Sequence, residues 1–151
     1  MTLFNSFNIS ASGLTANRLR MDVVSANIAN AETTRARMVD GEWTPYRRKT
    51  VELSQSGVSP FEQKLQSMMG NGNKGISGVS VTRIKEDNAP FTLNYDPSHP
   101  DADDNGYVQL PNVDPIKEMV DLMSATRSYE ANVTALNASK SMFMKALEIG
   151  K

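Results

Sequence analysis

Apolar side chains recur every seven residues at both ends of the chain, at Phe7, Leu14, Met21 and Ile28 near one end and at Leu122, Tyr129, Leu136 and Phe143 near the other. A seven-residue repeat lays side chains along one slowly drifting stripe of a helix, the pattern of a helix that packs lengthwise on another. Phe4, Ala11 and Val24 fill the intermediate spacings of the first stripe, and Met119, Val133 and Leu147 those of the second, where Thr126 and Lys140 also fall on the seam. The pattern predicts two long helices, Phe4 to Asn30 and Asp114 to Ile149, with these apolar residues as candidate assembly contacts.

The second helix has a legible start, because Asp114 can cap free backbone donors and Pro115 suits the first helical position, where no donor is needed. Gly150 is expected to stop it. At 1.5 Å per residue it spans roughly 52 Å, and the first helix about 39 Å. Their polar residues differ. The first adds a flanking stripe of Ala16, Leu19, Val23 and Ala26, and its remaining face is mostly uncharged, with Ser10, Ser12, Asn17 and Asn27 among its amides and hydroxyls. Such a face costs less to bury among several neighbours than a charged one. The second carries Lys117, Glu118, Lys145 and Glu148 at positions expected to be hydrated.

Between the helices the glycines and prolines concentrate and no helical repeat is sustained. Short β-branched or alternating runs predict strands at Thr50 to Leu53, Val79 to Lys85, Phe91 to Tyr95 and Tyr107 to Leu110. Gln55 to Ser77, with Gly70-Asn71-Gly72-Asn73 inside it, has the composition of a segment partly disordered before assembly. The expected fold is α+β: a coiled-coil-like helical domain of residues 1–34 and 113–151, with a small β-rich domain of residues 35–112 inserted. A centre of about 80 residues buries only about 60% of its unfolded surface and is marginal alone.

Sixteen basic and 17 acidic residues leave a net charge of −1, which provides no overall field for nucleic acid or anionic lipid. The absence of cysteine removes disulfides, thiolate metal sites and a cysteine nucleophile, and permits an oxidising compartment. Neither a basic segment followed by an apolar run nor a stretch of about 20 apolar residues is present, so no cleaved signal peptide and no membrane span are expected.

Asp101-Ala102-Asp103-Asp104-Asn105-Gly106 matches the opening of a calcium-binding EF-hand loop, but the twelfth position is Asn112 where a bidentate Glu is required. Prolines at 97, 100 and 111 occupy the places of the flanking helices, so an acidic turn is the stronger reading. His99 is the only histidine and sits in a turn-rich run without a nucleophile to pair with, which argues against an enzyme. Tyr46-Arg47-Arg48-Lys49 is a short basic patch between acidic residues, read as a strand edge or a complementary interface. Met119, Met123, Met142 and Met144 are read as adaptable packing. Neither a metal nor a cofactor is called for.

The segments Ile9 to Thr34, with Asn27-Ile28-Ala29-Asn30-Ala31-Glu32-Thr33-Thr34 at its end, and Pro111 to Gly150 resemble the flagellar rod, hook and hook-filament family, and within it the basal-body rod proteins. The central runs from Pro45, Tyr95 and Gly106 share the resemblance. Asn27, Ala29, Asn30, Ala31 and Thr33 carry the family motif. Thr34-Arg35-Ala36-Arg37 then stands before Gly41, where the wider family usually continues at once with a glycine and an aromatic, which favours a rod protein over a hook or distal-rod protein.

The resemblance implies a structural subunit of the proximal rod in the flagellar basal body, on the periplasmic side, delivered through the flagellar type III export apparatus without a cleaved signal. Its terminal helices would pair with each other, with further copies, with the rod proteins FlgB and FlgF and with the base adaptor FliE. Leu3, Phe4 and Phe7 are candidate contacts of an uncleaved export signal. The rival reading is a free calcium- or peptide-binding adaptor whose ends close into a two-helix hairpin.

Overall fold

The computed structural model describes residues 2–56, 64, 68 and 77–149, with side chains from residue 5 onward. The segment expected to be partly disordered lies almost wholly outside the described residues, as do Gly150 and the side chains of Leu3 and Phe4.

Two helices dominate, α1 at Thr2–Ala29 and α2 at Pro115–Ile149. Asp114 caps α2 as its position requires, with Oδ1 accepting from Ile116 N at 3.0 Å and Lys117 N at 3.3 Å. At the other boundary Asn30 closes α1: its backbone N–H and its Nδ2 both donate to Ala26 O, at 3.1 and 2.8 Å. Ala31 N donates to Ile28 O at 3.2 Å, which occupies a second carbonyl of the last turn.

Among the described residues six strands form three two-stranded sheets between the helices: β1 (Arg37–Val39) with β2 (Glu42–Thr44), β3 (Lys49–Gln55) with β4 (Val79–Glu86), and β5 (Thr92–Tyr95) with β6 (Tyr107–Leu110). The last four fall where alternation predicts them, within one or two residues. The β1–β2 hairpin is an addition: Asp40-Gly41 turns it with φ of 52° and 90°, the left-handed pair a two-residue hairpin needs. In the β5–β6 pair Tyr95 faces Tyr107 edge-on at 5.3 Å, and Val108 is buried.

Spatial clustering divides the chain into two compact units, each holding part of both helices. Unit 1 comprises residues 1–19, 52–83 and 126–151; unit 2 comprises 20–51 and 84–125. In unit 1, Ser10, Ala16 and Ser139 are buried, and a Cβ on Gly13 would lie 3.0 Å from Asn132 Nδ2, so α1 and α2 approach closely across small residues. Gly78 is held against α1, where Val79 N donates to Ser12 Oγ at 3.1 Å and a side chain on Gly78 would collide with that hydroxyl. In unit 2 the buried residues are Val23, Val24, Asn27, Val108, Glu118 and Ala125, with Pro45 and Pro111.

Candidate assembly interface

Burial along each helix picks out a seam one residue away from much of the apolar stripe. On α2 the buried or half-buried positions at three and four spacing are Glu118, Leu122, Ala125, Tyr129, Asn132, Leu136 and Ser139. Leu122, Tyr129 and Leu136 belong to the predicted stripe, whereas Met119, Thr126, Val133 and Lys140 are displaced by one residue from the positions that alternate with them. On α1 the corresponding seam is Ser6, Ser10, Gly13, Asn17, Arg20, Val24 and Asn27. The seams are rich in small and polar residues, and a hydrophobicity pattern therefore selects their neighbours.

In unit 2 this seam is a polar knot. Asn27 uses all four hydrogen-bonding sites of its amide. Nδ2 donates to Lys49 O at 2.8 Å and to Glu118 Oε2 at 2.9 Å, and Oδ1 accepts from Lys49 N at 2.9 Å and from Tyr46 Oη at 3.0 Å. The side chain thus imitates a strand's backbone beside the first residue of β3. Glu118 is fully buried; its Oε1 accepts from Arg48 Nε and Nη2, both at 2.6 Å. A buried carboxylate is tolerable only when its oxygens are occupied in this way. Arg20 and Arg48 flank Asp121 at 3.3 and 3.7 Å, and Arg48 N donates to Asn112 Oδ1 at 3.0 Å. Asn27 meets Glu118 and Arg20 meets Asp121, so the two helices run antiparallel here.

Burial, then the charges of Glu118 and Glu86, push the Tyr46 phenol pKa up. One reading is corrected by this knot: Glu118 is interior rather than hydrated, because Arg48 and Asn27 converge on it. The basic patch packs within the chain: Arg48 binds Glu118, Arg47 lies over the Phe91 ring at 4.6 Å, and Lys49 Nζ lies 5.6 Å from the Tyr46 ring centroid.

Below the knot, the motif segment is clamped to the acidic turn. Asp101 accepts from Thr34 Oγ1 at 2.7 Å and from the Arg35 guanidinium, and these bonds hold its carboxyl below the usual carboxylate range. His99 Nδ1 accepts from Asp101 N at 3.1 Å. The first ligand of the proposed calcium loop is therefore committed to Arg35 and Thr34, and the calcium-adaptor reading has no support here.

Over its first two turns the face of α2 opposite the seam is apolar. Ile116, Met119, Val120 and Met123 follow the i, i+3, i+4, i+7 spacing of one face, and each is more than half exposed. Beyond Ser139, Phe143 and Leu147 continue the line of the seam at four-residue spacing and are 37% and 55% exposed, with Met142, Met144 and Ile149 exposed beside them. On α1, Phe7 is 40% exposed, Ala11, Leu14, Met21 and Ile28 are half-buried, and Val24 is buried. Among the motif residues Asn27 is buried, Asn30, Ala31 and Thr33 are half-buried, and Ala29 is exposed. Thr33 O accepts from Tyr46 N at 3.1 Å, tying the motif to the strand region. Arg48, Glu118 and Asp121 do not stand out in the sequence: one is an arginine in a basic run and the others are carboxylates three residues apart on a helix, which surface charge also produces.

Helices that meet through polar and small residues while leaving large apolar side chains outside have the construction of an assembly subunit. The family described as "Flagella basal body rod protein" matches residues 7–37, and that described as "Flagellar basal body rod FlgEFG protein C-terminal" matches residues 104–149. The chain is 64% identical over 152 residues to the flagellar basal-body rod protein FlgC of Bacillus subtilis, covering 100% of both chains. It is 46% identical to that of Borreliella burgdorferi, covering 99% of this chain and 98% of the relative, and 41% identical to that of Salmonella typhimurium, with 100% of both covered. The chain belongs to the FlgC family of flagellar basal-body rod proteins. It is a structural subunit of the rod and resides in the flagellar basal body.

Proposed function

We propose that this subunit joins the rod through the outward faces of its two terminal helices, and that the knot at Asn27, Arg48 and Glu118 fixes the register in which those faces are presented. Phe7, Ala11, Leu14, Met21 and Ile28 supply the contact on α1, with Phe4 preceding them. On α2 the contact runs through Met119, Val133, Phe143 and Leu147, while Val24, Leu122, Tyr129 and Leu136 support it from the seam. The motif residues Asn27, Ala29, Asn30, Ala31 and Thr33 set the exit of α1. Further copies of the chain, FlgB, FlgF and FliE are the neighbours, and the flagellar type III export apparatus delivers the subunit to the periplasmic side. The role is mechanical and non-enzymatic, with torque carried by many parallel helix contacts. Residues 1–34 and 113–151 form the axial part and 35–112 its outer fitting.

The observation that supports this most is the set of large apolar side chains that α2 leaves exposed, Ile116 to Met123 near its start and Phe143 and Leu147 near its end, which a subunit working alone would leave in water. A carboxylate at Leu147, 55% exposed, leaves the monomer's fold intact but opposes burial at an interface. Cells carrying Leu147→Asp are expected to make normal amounts of subunit and to assemble no rod. Intact basal bodies in those cells would refute the helix-face reading.

A further inference from the structure

A cleft of about 220 Å³ opens in unit 2, and Arg37, Thr44, Tyr46, Arg47, Lys49 and Glu86 are among the residues that line it. Arg47 and Lys49 are half-buried, and Arg37 is exposed at the root of the β1–β2 hairpin. Arg47 Nη1 donates to Asp87 O at 3.4 Å and its guanidinium rests on the Phe91 ring, while Lys49 Nζ lies over the Tyr46 ring. Among the described residues none of these three cations has a carboxylate within ion-pair distance, whereas Arg20, Arg35, Arg48 and Arg83 all do. Glu86 is the one carboxylate of the lining. Even counting Glu42, which shares Arg37's face of the ribbon, three cations stand against two carboxylates. A half-buried cation has given up part of its hydration, and an oxyanion that takes the place of that water is favoured.

Uncommitted carboxylates stand in the same unit. Of the four aspartates between β5 and β6, Asp96 accepts from Ser98 N and Oγ, and Asp101 is clamped to Thr34 and Arg35. Asp103 and Asp104 are exposed, and among the described residues their side chains make neither a hydrogen bond nor an ion pair. Their turn is already ordered: Asp103 N donates to Tyr107 O at 2.9 Å, Gly106 N donates to Asp103 O at 2.7 Å, and Gly106 takes a φ of 77°. An ordered tip loses little freedom on docking. Adjacent carboxylates recur elsewhere in the chain only at Glu86-Asp87, where Glu86 already lines the cleft and Asp87 lies 3.9 Å from Arg48. A doubly acidic tip and a cleft with surplus cations are complementary in charge, yet no ion pair joins them within one chain. A contact between two different surfaces of identical chains is heterologous, so it propagates into a ring or helix.

We infer that the Asp103-Asp104 tip of one subunit docks in the cleft of Arg37, Arg47 and Lys49 on a second copy of this chain. The inference rests on the reading above that further copies are neighbours, and it assigns them a contact that the helix faces do not supply.

A carbodiimide joins a carboxylate to a lysine amine, with loss of water, where the two groups touch. Two differently tagged forms of the unaltered chain are to be co-expressed, and purified basal bodies and dilute free subunit treated with the reagent. The expected product, in basal bodies alone, is a dimer carrying both tags in which Lys49 is joined to Asp103 or Asp104 by an amide, identified by mass spectrometry. A second arm reverses charge: Arg37→Glu is expected to lower rod assembly about tenfold, and adding Asp103→Arg and Asp104→Arg to the same chain to restore it. The cross-linking arm stands whatever the variants do to folding.

Mixed dimers without this amide, the amide confined to single chains, or Lys49 joined to a different protein would each overturn the docking. So would a neutral Arg37→Glu variant, or one that the paired aspartate reversals fail to rescue. If those results accompany a block by Leu147→Asp, only the cleft assignment fails. If Leu147→Asp assembles normally, the helix-face reading fails with it.

Discussion

The two faces of α2 depart from the usual arrangement of a surface helix. Its inner seam alternates Glu118, Ala125, Asn132 and Ser139 with Leu122, Tyr129 and Leu136, whereas the outer face of its first turns holds Ile116, Met119, Val120 and Met123. Apolar contact is permissive about register, and a saturated amide facing a buried carboxylate is not, because any slip leaves donors and a charge unpaired. The inner face therefore defines how the helices align, and the outer face supplies apolar area to whatever packs on it.

The largest effect on the inner face is expected at Glu118. Glu118→Leu leaves Arg48 and an Asn27 donor without their acceptor in a dry site, and is expected to cost about 3–5 kcal/mol in chemical unfolding. A change under 1 kcal/mol would show that the knot is not structural. Asn27→Ala removes four hydrogen bonds at once and is expected to destabilise unit 2 by about 2 kcal/mol, measured in the same way.

Changes at exposed apolar positions should separate assembly from stability. Val120→Ser and Met123→Ser are exposed substitutions expected to shift unfolding by no more than about 0.5 kcal/mol, while Phe143→Asp is expected to abolish rods at normal subunit levels. In unit 1, Gly13→Leu drives bulk against Asn132, and overpacking of about 1–3 kcal/mol is expected.

The smallest effect concerns pH. Burial, followed by the charges of Glu118 and Glu86, raises the Tyr46 pKa, so the neutral phenol is the native form. The stability it contributes is complete below its ordinary value of about 10 and is lost as pH rises through the raised one. Alkaline unfolding curves of the parent and of Tyr46→Phe should therefore differ in shape above that pH and run parallel below it.

The helices were legible because three- and four-residue spacing survives whichever face is buried, and Asp114-Pro115 marks a start by local geometry alone. Four strands followed from alternation. The β1–β2 hairpin carried its own signal, Asp40-Gly41 between short β-forming runs, but three-residue strands are too brief for alternation to register. The intrachain seam lies one residue from the apolar stripe at alternate positions, since the stripe follows hydrophobicity and the chain buries Ser10, Asn27 and Glu118. Nothing local distinguishes Glu118 from Glu148; only the arrival of Arg48, the residue before β3, does so.

Methionine oxidation offers the most direct measurement of the two-faced helix, because sulfoxide formation follows solvent access and Met119, Met123, Met142 and Met144 are each more than half exposed on α2. Purified subunit and intact basal bodies are to be treated with peroxide and the four sites quantified by mass spectrometry. The outward face predicts rapid oxidation of all four in the free subunit and strong protection of Met119 and Met123 in the rod. Equal oxidation of those two sites in both states would contradict it.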